Sequence, residues 1–168
     1  MVVAGVDAST KATGLSIMQD GELIYHTLFT IDPRKEPDAE KRVKIMLINI
    51  CAVLDNYDID VLCMEKAIGK GGNVDTVIKL AYLSGGMSLY CIQNDIEFNN
   101  PTPSMWRKIV GISQGRGIKR DVQKAEAIKA VKDEYGIDEG DDVAESILIA
   151  RSAFDLPKLN ITEDGLWE

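Results

Sequence analysis

The fold is decided by residues 2–29, VVAGVDASTKATGLSIMQDGELIYHTLF, in which apolar runs alternate with short polar breaks. The runs cover Val2–Val6, Ala12–Gln19 and Glu22–Phe29. Asp20-Gly21, between the last two runs, is a strong signal for a two-residue hairpin turn. Together these features predict three consecutive strands in an antiparallel meander at the start of the chain.

The rest of the chain alternates between predicted helices and predicted strands. Apolar residues from Val43 to Leu54 recur at helical spacing, and the compact run Val61–Met64 is typical of a buried parallel strand. The later elements are predicted as a helix over Val74–Gln93, a short strand over Asp95–Asn99, a brief helix around Trp106, a helix over Lys119–Glu134 and a last helix that starts near Asp141 and ends before Pro157.

A meander followed by alternating strands and helices predicts an α/β fold, with a mixed five-stranded sheet and helices on both of its faces. We expect residues 1–168 to form one domain, with residues 156–168 as a C-terminal tail.

Composition and charge limit the kinds of protein that the chain can be. The three cysteines are far apart in apolar stretches, which indicates reduced core thiols and no zinc or disulfide framework. The sequence shows no basic leader and no apolar run of spanning length, so we expect a cytoplasmic protein that does not bind membranes. The net charge of −8 requires any DNA-binding surface to concentrate the basic residues on one side.

Carboxylates stand at the ends of several predicted elements. Asp7 closes the first strand and Glu65 closes the fourth, at the carboxyl ends where open α/β sheets place their sites. Asp142 and Glu145 open the last helix at i and i+3, so both project from one face. If the first and fourth strands are neighbours, four carboxylates from three segments meet at one point. Taken alone, the acidic pair ahead of an apolar run also fits a capping box.

Such a cluster of like charges needs cations, because neighbouring carboxylates raise one another's pKa. Ligands that are all oxygen favour the hard ions Mg²⁺ and Mn²⁺. Two such ions in one site can activate a water and stabilise the leaving oxygen of a phosphodiester. The only histidine, His26, lies in a predicted strand, which argues against hydrolases that need a catalytic histidine.

Several motifs, in the same order, resemble those of the RuvC-type Holliday-junction resolvases of the RNase H-like superfamily. The family's opening strand and hairpin resemble GVDASTKATGLSIM (5–18) of this chain, and the family's second acidic strand resembles VLCMEKA (61–67). The family's strand exit, basic helix and last acidic helix resemble TPSMWRKIVG (102–111), GIKRDVQKAEAI (117–128) and GDDVAESILIA (140–150). The likeness extends to about residue 154, and it implies an RNase H-like fold and a metal-dependent endonuclease that resolves four-way DNA junctions by paired nicks.

The resemblance also assigns roles to particular residues. The catalytic and metal-binding set that it implies is Asp7, Glu65, Asp142 and Glu145. Lys119 falls where the family has a basic residue near the scissile phosphate, although a solvated lysine at a helix start is an equal alternative. The implied cofactor is Mg²⁺ or Mn²⁺, with two ions in each active site. The implied partners are branched DNA and a second copy of the chain, because a four-way junction presents two equivalent strands to a symmetric homodimer.

Residues near the acidic motifs are predicted to contact DNA. The basic residues cluster in two stretches, 66–79 and 107–124. An acidic protein that binds DNA needs its positive charges to be concentrated in this way. The predicted contacts are Lys66, Ile68, Lys70, Lys79, Arg107, Lys108, Arg116, Lys119, Arg120 and Lys124. Ile68 stands near the aromatic wedge of bacterial members, and Glu145 stands where they usually carry Asp. An aliphatic wedge can still unstack bases, and it indicates a looser preference among branched structures.

Other functions stay open from the sequence. An RNase H-like nuclease that acts on RNA or on an RNA–DNA hybrid would share the fold and the acidic set. A phosphotransferase of the actin and sugar-kinase superfamily opens with a similar strand and hairpin but needs two such domains. A non-catalytic branched-DNA binder has no need of four intact carboxylates. The second helix, with Val77, Leu80, Ala81, Leu83, Leu89, Gly85 and Gly86, fits either a dimer face or a sheet-facing side.

Overall fold

A computed structural model describes residues 1–68 and 74–155, so the predicted tail at 156–168 lies outside the described residues. The strands are β1 (Val2–Asp7), β2 (Ala12–Gln19), β3 (Glu22–Thr30), β4 (Val61–Met64) and β5 (Glu97–Asn99). The helices are α1 (Ala39–Leu54), α2 (Val74–Gln93), α3 (Pro103–Ile109), α4 (Arg120–Tyr135) and α5 (Asp141–Ser152). The predicted elements are all present, and α1 begins earlier than predicted because the Asp38 side chain caps its first amides.

The five strands form one mixed sheet in the order β3-β2-β1-β4-β5. Antiparallel pairing of β1 with β2 and of β2 with β3 confirms the predicted meander. Asp20 and Gly21 have φ values of 52° and 92°, as a tight hairpin turn of this kind requires. β4 pairs parallel with β1, and β5 pairs parallel with β4. The first and fourth strands are therefore neighbours, as a meeting of the carboxylates requires.

Helices cover both faces of the sheet, which confirms the predicted fold class. α1 and α2 lie on one face, where Met46 and Leu83 join the core around Val6. α3, α4 and α5 lie on the other face, where Trp106 and Ile147 pack with β4. Within the part of the chain that the structure describes, no helix has the length and apolar character of a membrane span.

Helix α5 is almost entirely buried and lies directly on β1 and β2. Its close approach depends on two glycines. A Cβ added at Gly5 would lie 2.2 Å from the carbonyl oxygen of Ser146, and one added at Gly14 would lie 1.9 Å from the carbonyl oxygen of Asp142. Because no side chain fits at those distances, α5 reaches this depth only where the strands carry glycine.

Candidate active site

Three chain segments bring carboxylates to one end of the sheet. Asp7 is the last residue of β1 and Glu65 directly follows β4, and the two strands run parallel and in register. Asp7 also pairs with Gly14 across the β1–β2 ladder, and Gly14 is the residue on which the Asp142 backbone packs. The start of α5 therefore lies beside the ends of both strands.

Asp142 and Glu145 do not form a helix cap. The N-cap of α5 is Gly140, and no side chain among the described residues bonds to the first amides of the helix. Asp141, the residue before this pair, is bound to Lys124 and does not cap the helix either. The capping-box alternative is therefore wrong, and the acidic pair is left without that structural role.

Glu145 lies one turn inside α5, is only 1% exposed and is neutralised by two arginines. Arg107 Nη2 donates to Glu145 Oε1 at 3.0 Å, and Arg120 Nη2 donates to Glu145 Oε2 at 3.4 Å. The same Nη2 atom of Arg107 lies 3.6 Å from Glu65 Oε2. One guanidinium group therefore links the carboxylate after β4 to the carboxylate of α5.

Glu65 has a second partner in Trp106, a fully buried residue of α3. The indole Nε1–H of Trp106 donates to Glu65 Oε2 at 2.6 Å. Burial raises the pKa of Glu65, while the Trp106 hydrogen bond and the charge of Arg107 act in the opposite direction. Thr102 fixes the start of α3, because its side chain accepts a hydrogen bond from the Met105 amide. A capped helix thus presents two consecutive donors to the site.

Asp7 carries the least favourable charge of the cluster. Burial raises the pKa of Asp7 well above its ordinary value of 3.8, and repulsion from Glu145, Glu65 and Asp142 raises it further, in that order. The positive charge of Arg120 lowers it only in part. Burial also raises the pKa of Asp142, with repulsion from Asp141 as the next cause. The clustered carboxylates thus repel one another enough to favour either protons or an added cation.

The donor set fits a hard divalent cation in its chemistry, because all four side chains offer carboxylate oxygens. A cation would relieve the repulsion that raises the pKa of Asp7. Within residues 1–68 and 74–155, however, no group of three His, Cys, Asp or Glu side chains stands in an arrangement that could hold a metal ion. Glu65 and Glu145 are directed at Arg107 instead.

The prediction that Arg107 contacts DNA phosphates is wrong, because its side chain is buried and is bound to acidic residues. The sequence signal for a buried and paired Arg107 is its position beside a tryptophan in the largely apolar segment SMWRKIV. Charged residues in such segments are seldom buried unless they are paired. Trp106 was not predicted as a site residue, because no motif links it to Glu65, which lies 41 positions earlier in the chain.

The other predicted DNA contacts divide according to whether a carboxylate neutralises them. Of the predicted contacts within the described residues, four are exposed and have no carboxylate partner: Lys66, Lys108, Arg116 and Lys119. Three are paired, Lys79 with Asp75, Arg120 with Glu145 and Lys124 with Asp141. Ile68 is exposed, and Lys70 lies outside the described residues.

The architecture is that of the RNase H-like nucleases, a mixed five-stranded sheet with helices on both faces. The family model for the crossover junction endodeoxyribonuclease RuvC matches residues 3–150 of the chain. The chain therefore belongs to the RuvC family.

Relatives with this description cover most of the chain. The RuvC of Pseudothermotoga lettingae is 27% identical over 152 residues, which is 89% of this chain and 91% of the relative. The RuvC of Thermotoga petrophila is 30% identical over 152 residues, which is 89% of this chain and 90% of the relative.

Solved structures share the fold at lower identity. Thermus thermophilus RuvC in complex with a Holliday junction substrate gives a TM-score of 0.70 at 18% identity, covering 90% of this chain and 92% of that chain. The fowlpox virus Holliday junction resolvase gives a TM-score of 0.57 at 15% identity, covering 92% of this chain and 98% of that chain.

Proposed function

We propose that this RuvC-family protein resolves four-way DNA junctions by paired nicks, as a single-domain, metal-dependent endonuclease. The observation that carries the proposal is the convergence of Asp7, Glu65, Asp142 and Glu145 from three segments at one end of the sheet. The relatives are named crossover junction endodeoxyribonucleases, and a solved RuvC structure holds a Holliday junction, which supports branched DNA as the substrate class.

Two divalent cations, Mg²⁺ or Mn²⁺, would be held by these four carboxylates. Such ions supply an activated water and stabilise the leaving oxygen of the phosphodiester. The contribution of the chain is to hold the oxygens in place: Trp106 fixes Glu65 by a hydrogen bond, and packing on Gly14 fixes the start of α5. Glu145 is buried and Asp7 is half-buried, which limits contact with bulk water and would strengthen the attraction between each carboxylate and a cation.

Lys119 is the proposed contact to the scissile phosphate. It is the exposed N-cap residue of α4, directly before Arg120, whose guanidinium reaches Glu145 in the site. A lysine there would stabilise the negative charge that develops on the phosphoryl group. This placement supports the role assigned by resemblance, since the lysine stands next in sequence to a residue that touches the carboxylate cluster.

The exposed cations around the site provide the proposed DNA-binding surface. Lys66 follows Glu65 directly, Lys108 lies in the last turn of α3, and Arg116 precedes α4. Their positive charge is available to phosphates, since none of them pairs with a carboxylate among the described residues. Ile68, an exposed apolar residue three positions after Glu65, is the proposed wedge against the bases at the branch.

An exposed apolar stripe along α2 is the proposed homodimer face. The stripe consists of Val74, Ile78, Tyr82, Leu89 and Ile92. Leu83 is buried in the core on the opposite side of the helix, so only part of the set singled out from the sequence is available for a dimer. Gly86 packs against Leu47 of α1. A contiguous exposed apolar surface favours protein association, and a symmetric dimer would place two active sites on the two strands to be cut.

The test is cleavage of an end-labelled four-way junction, with linear duplex and an RNA–DNA hybrid in parallel, in Mg²⁺, Mn²⁺ or EDTA. The wild type is compared with Asp7→Asn and with Asp58→Asn, which removes an exposed carboxylate far from the site. We expect paired junction nicks that need a divalent cation, persist in Asp58→Asn and vanish in Asp7→Asn.

Each other outcome has a distinct meaning. Cutting of the hybrid alone would contradict junction resolution and favour an RNA-directed nuclease of the same class. Junction binding without cutting in either metal would contradict catalysis. Equal cutting in EDTA would contradict the metal site.

A further inference from the structure

Arg107 is a buried cation inside the carboxylate cluster. It is 5% exposed, and its guanidinium contacts Glu145 at 3.0 Å and lies 3.6 Å from Glu65. A buried guanidinium group without an acidic partner is strongly unfavourable, and so is a buried carboxylate without a basic one. The three charges therefore stabilise one another in the folded protein.

The carboxylates, and not the backbone, determine where this guanidinium group lies. Arg107 Nη2 bonds to Glu145, while Nε is buried and has no hydrogen-bond partner among the described residues. The guanidinium carbon lies 4.7 Å from the centre of the Trp106 ring, a stacking contact that tolerates small movements. A side chain held in this way can change partners without breaking a bond to the main chain.

The contact also involves the oxygens that a metal would need. Arg107 touches Oε1 of Glu145 and Oε2 of Glu65, and Trp106 donates to the same Glu65 oxygen. A divalent cation that binds these carboxylates meets a positive charge already in contact with both. Attraction to the carboxylates is thus opposed by repulsion from the guanidinium, at distances where charge interactions in a buried site are strong.

We propose that Arg107 is a resident counter-ion of the active site, which neutralises Glu65 and Glu145 in the metal-free protein and gives up part of that contact when a divalent cation binds. This inference rests on the proposed metal-dependent function. Arg107 is in these terms a positioning residue: it holds the acidic side chains of two segments together before the cation arrives. It also weakens cation binding, because the cation must compete with it.

The first experiment measures cation affinity without DNA, through the fluorescence of Trp106. The chain has two tryptophans, so a Trp167→Phe background leaves Trp106, in contact with Glu65, as the only emitter. Mg²⁺ and Ca²⁺ are titrated into this protein and into its Arg107→Gln and Arg107→Lys variants. We expect Arg107→Gln to bind roughly tenfold more tightly, because the competing charge is gone, and Arg107→Lys to stay within about threefold of the parent, because the charge is kept.

Equal or weaker binding by Arg107→Gln, or equal tightening in the lysine variant, would overturn the inference. The same titration separates it from the proposed function. A parent protein that binds neither cation contradicts the metal site itself, and the counter-ion role with it. Binding that does not depend on residue 107 overturns the counter-ion role alone.

A second experiment uses the wild-type side chain and does not depend on the stability of a variant. The buried Nε–H of Arg107 and the indole Nε1–H of Trp106 can both be followed in ¹⁵N–¹H spectra of the wild type and assigned through bonds in the isotope-labelled protein. We expect the two signals to shift with the same midpoint as Mg²⁺ or Ca²⁺ is added. An Arg107 signal that stays in place while the Trp106 signal saturates would show that the guanidinium does not respond to the cation, and would overturn the inference.

Discussion

At the scale of single residues, Asp7 shows how the proposed function and the stability of the fold oppose each other. It is half-buried at the end of β1, and the charges of Glu145, Glu65 and Asp142 act against its ionised form. Burial of a carboxylate among like charges is unfavourable for folding, and a site that binds cations requires this arrangement.

We expect Asp7→Asn to stabilise the metal-free protein while it abolishes cleavage. The substitution removes the repulsion without a large change in shape, so the free energy of unfolding in EDTA should rise, by about 1.4 kcal/mol for each pH unit by which the fold raises the pKa of Asp7. Junction cleavage in Mg²⁺ should fall at least on the order of a hundredfold. Chemical unfolding and single-turnover cleavage measure the two effects, and a variant less stable than the wild type in EDTA would contradict this account.

The difference in stability between the wild type and Asp7→Asn should depend on pH. The pKa of Asp7 is raised in the folded state, so the fold favours the neutral acid. That stabilisation is fully present below the unfolded pKa, which is the ordinary value of 3.8, and is lost as the pH rises through the raised folded value. In EDTA, the wild type should therefore lose stability relative to Asp7→Asn as the pH rises from about 4. A pH-independent gap between the two unfolding curves would show that Asp7 is not the titrating group.

The acidic residues could be predicted from the sequence because each closes or opens a recognisable element. Asp7 and Glu65 follow apolar runs, and Asp142 precedes one. The role of Arg107 was not predicted, because its place beside Trp106 is a weak signal and an arginine at the end of a short helix resembles a solvent-exposed one until its depth is known. Its burial depends on the packing of α3 against α5, which brings together residues 38 positions apart.

At the scale of elements, the geometry of the site depends on how deeply α5 sits on the sheet. Gly14 pairs with Asp7 and touches the Asp142 backbone. Because residue 14 has no side chain, the start of α5 can lie close to Asp7. The hairpin turn at Asp20-Gly21 is encoded locally and could be predicted from two residues. The depth of α5 could not be predicted, since Gly14 meets Asp142, 128 positions later in the chain, and Gly5 meets Ser146, 141 positions later.

Gly14→Ala should damage the site through this contact. The added methyl group cannot fit 1.9 Å from the carbonyl oxygen of Asp142, so the start of α5 must move away from Asp7. We expect a loss of about 1–3 kcal/mol in the free energy of unfolding. Displacement of the acidic pair should also reduce cleavage on the order of a hundredfold or more, since small misplacements at reacting groups have effects of that size.

The matched control is Gly140→Ala at the N-cap of the same helix, where φ is −69° and a Cβ meets nothing within 4 Å. For this variant we expect a loss of at most about 1 kcal/mol in the free energy of unfolding, and nearly normal cleavage. If both alanine variants behaved alike, the depth of α5 would not be the cause.

At the scale of the whole molecule, an acidic protein must bind a polyanion. The net charge is −8, yet Lys66, Lys108, Arg116 and Lys119 are exposed and have no carboxylate partner among the described residues. The paired cations, such as Lys79 with Asp75, contribute less because their charge is already neutralised. The sequence places these residues in two stretches, but only the pairing of side chains shows which of them can contact phosphate.

Replacing Lys108 and Arg116 together by alanine should weaken junction binding more at low salt than at high salt. Each lost phosphate contact should lower the slope of log affinity against log salt by about 0.9. Binding to an uncleaved junction in Ca²⁺, measured by fluorescence anisotropy from low to high NaCl, gives the slope. Lys44→Ala, on α1 at the other face of the sheet, is the control and should leave the slope unchanged. An unchanged slope in the double variant would exclude these two residues from the DNA surface.

The last prediction at the scale of the whole molecule is that two copies associate through α2. Ile92 is 74% exposed near the end of the stripe, beside Leu89 and away from the carboxylate site. A symmetric interface uses each residue twice, so Ile92→Asp would bury two unpaired charges. We expect this variant to be monomeric by sedimentation at concentrations where the wild type is dimeric. The monomer should keep its cation response at Trp106 but lose paired nicking, since its two cuts would come from separate binding events.

Ile24→Asp provides the matched control for this substitution. Ile24 is an exposed apolar residue on β3, at the far edge of the sheet, so an aspartate there introduces the same charge without touching α2. This variant should remain a dimer that makes paired nicks. A dimeric Ile92→Asp protein would remove the α2 stripe from the interface. A monomeric wild type that still makes paired nicks would contradict the homodimer itself and leave the site proposal intact.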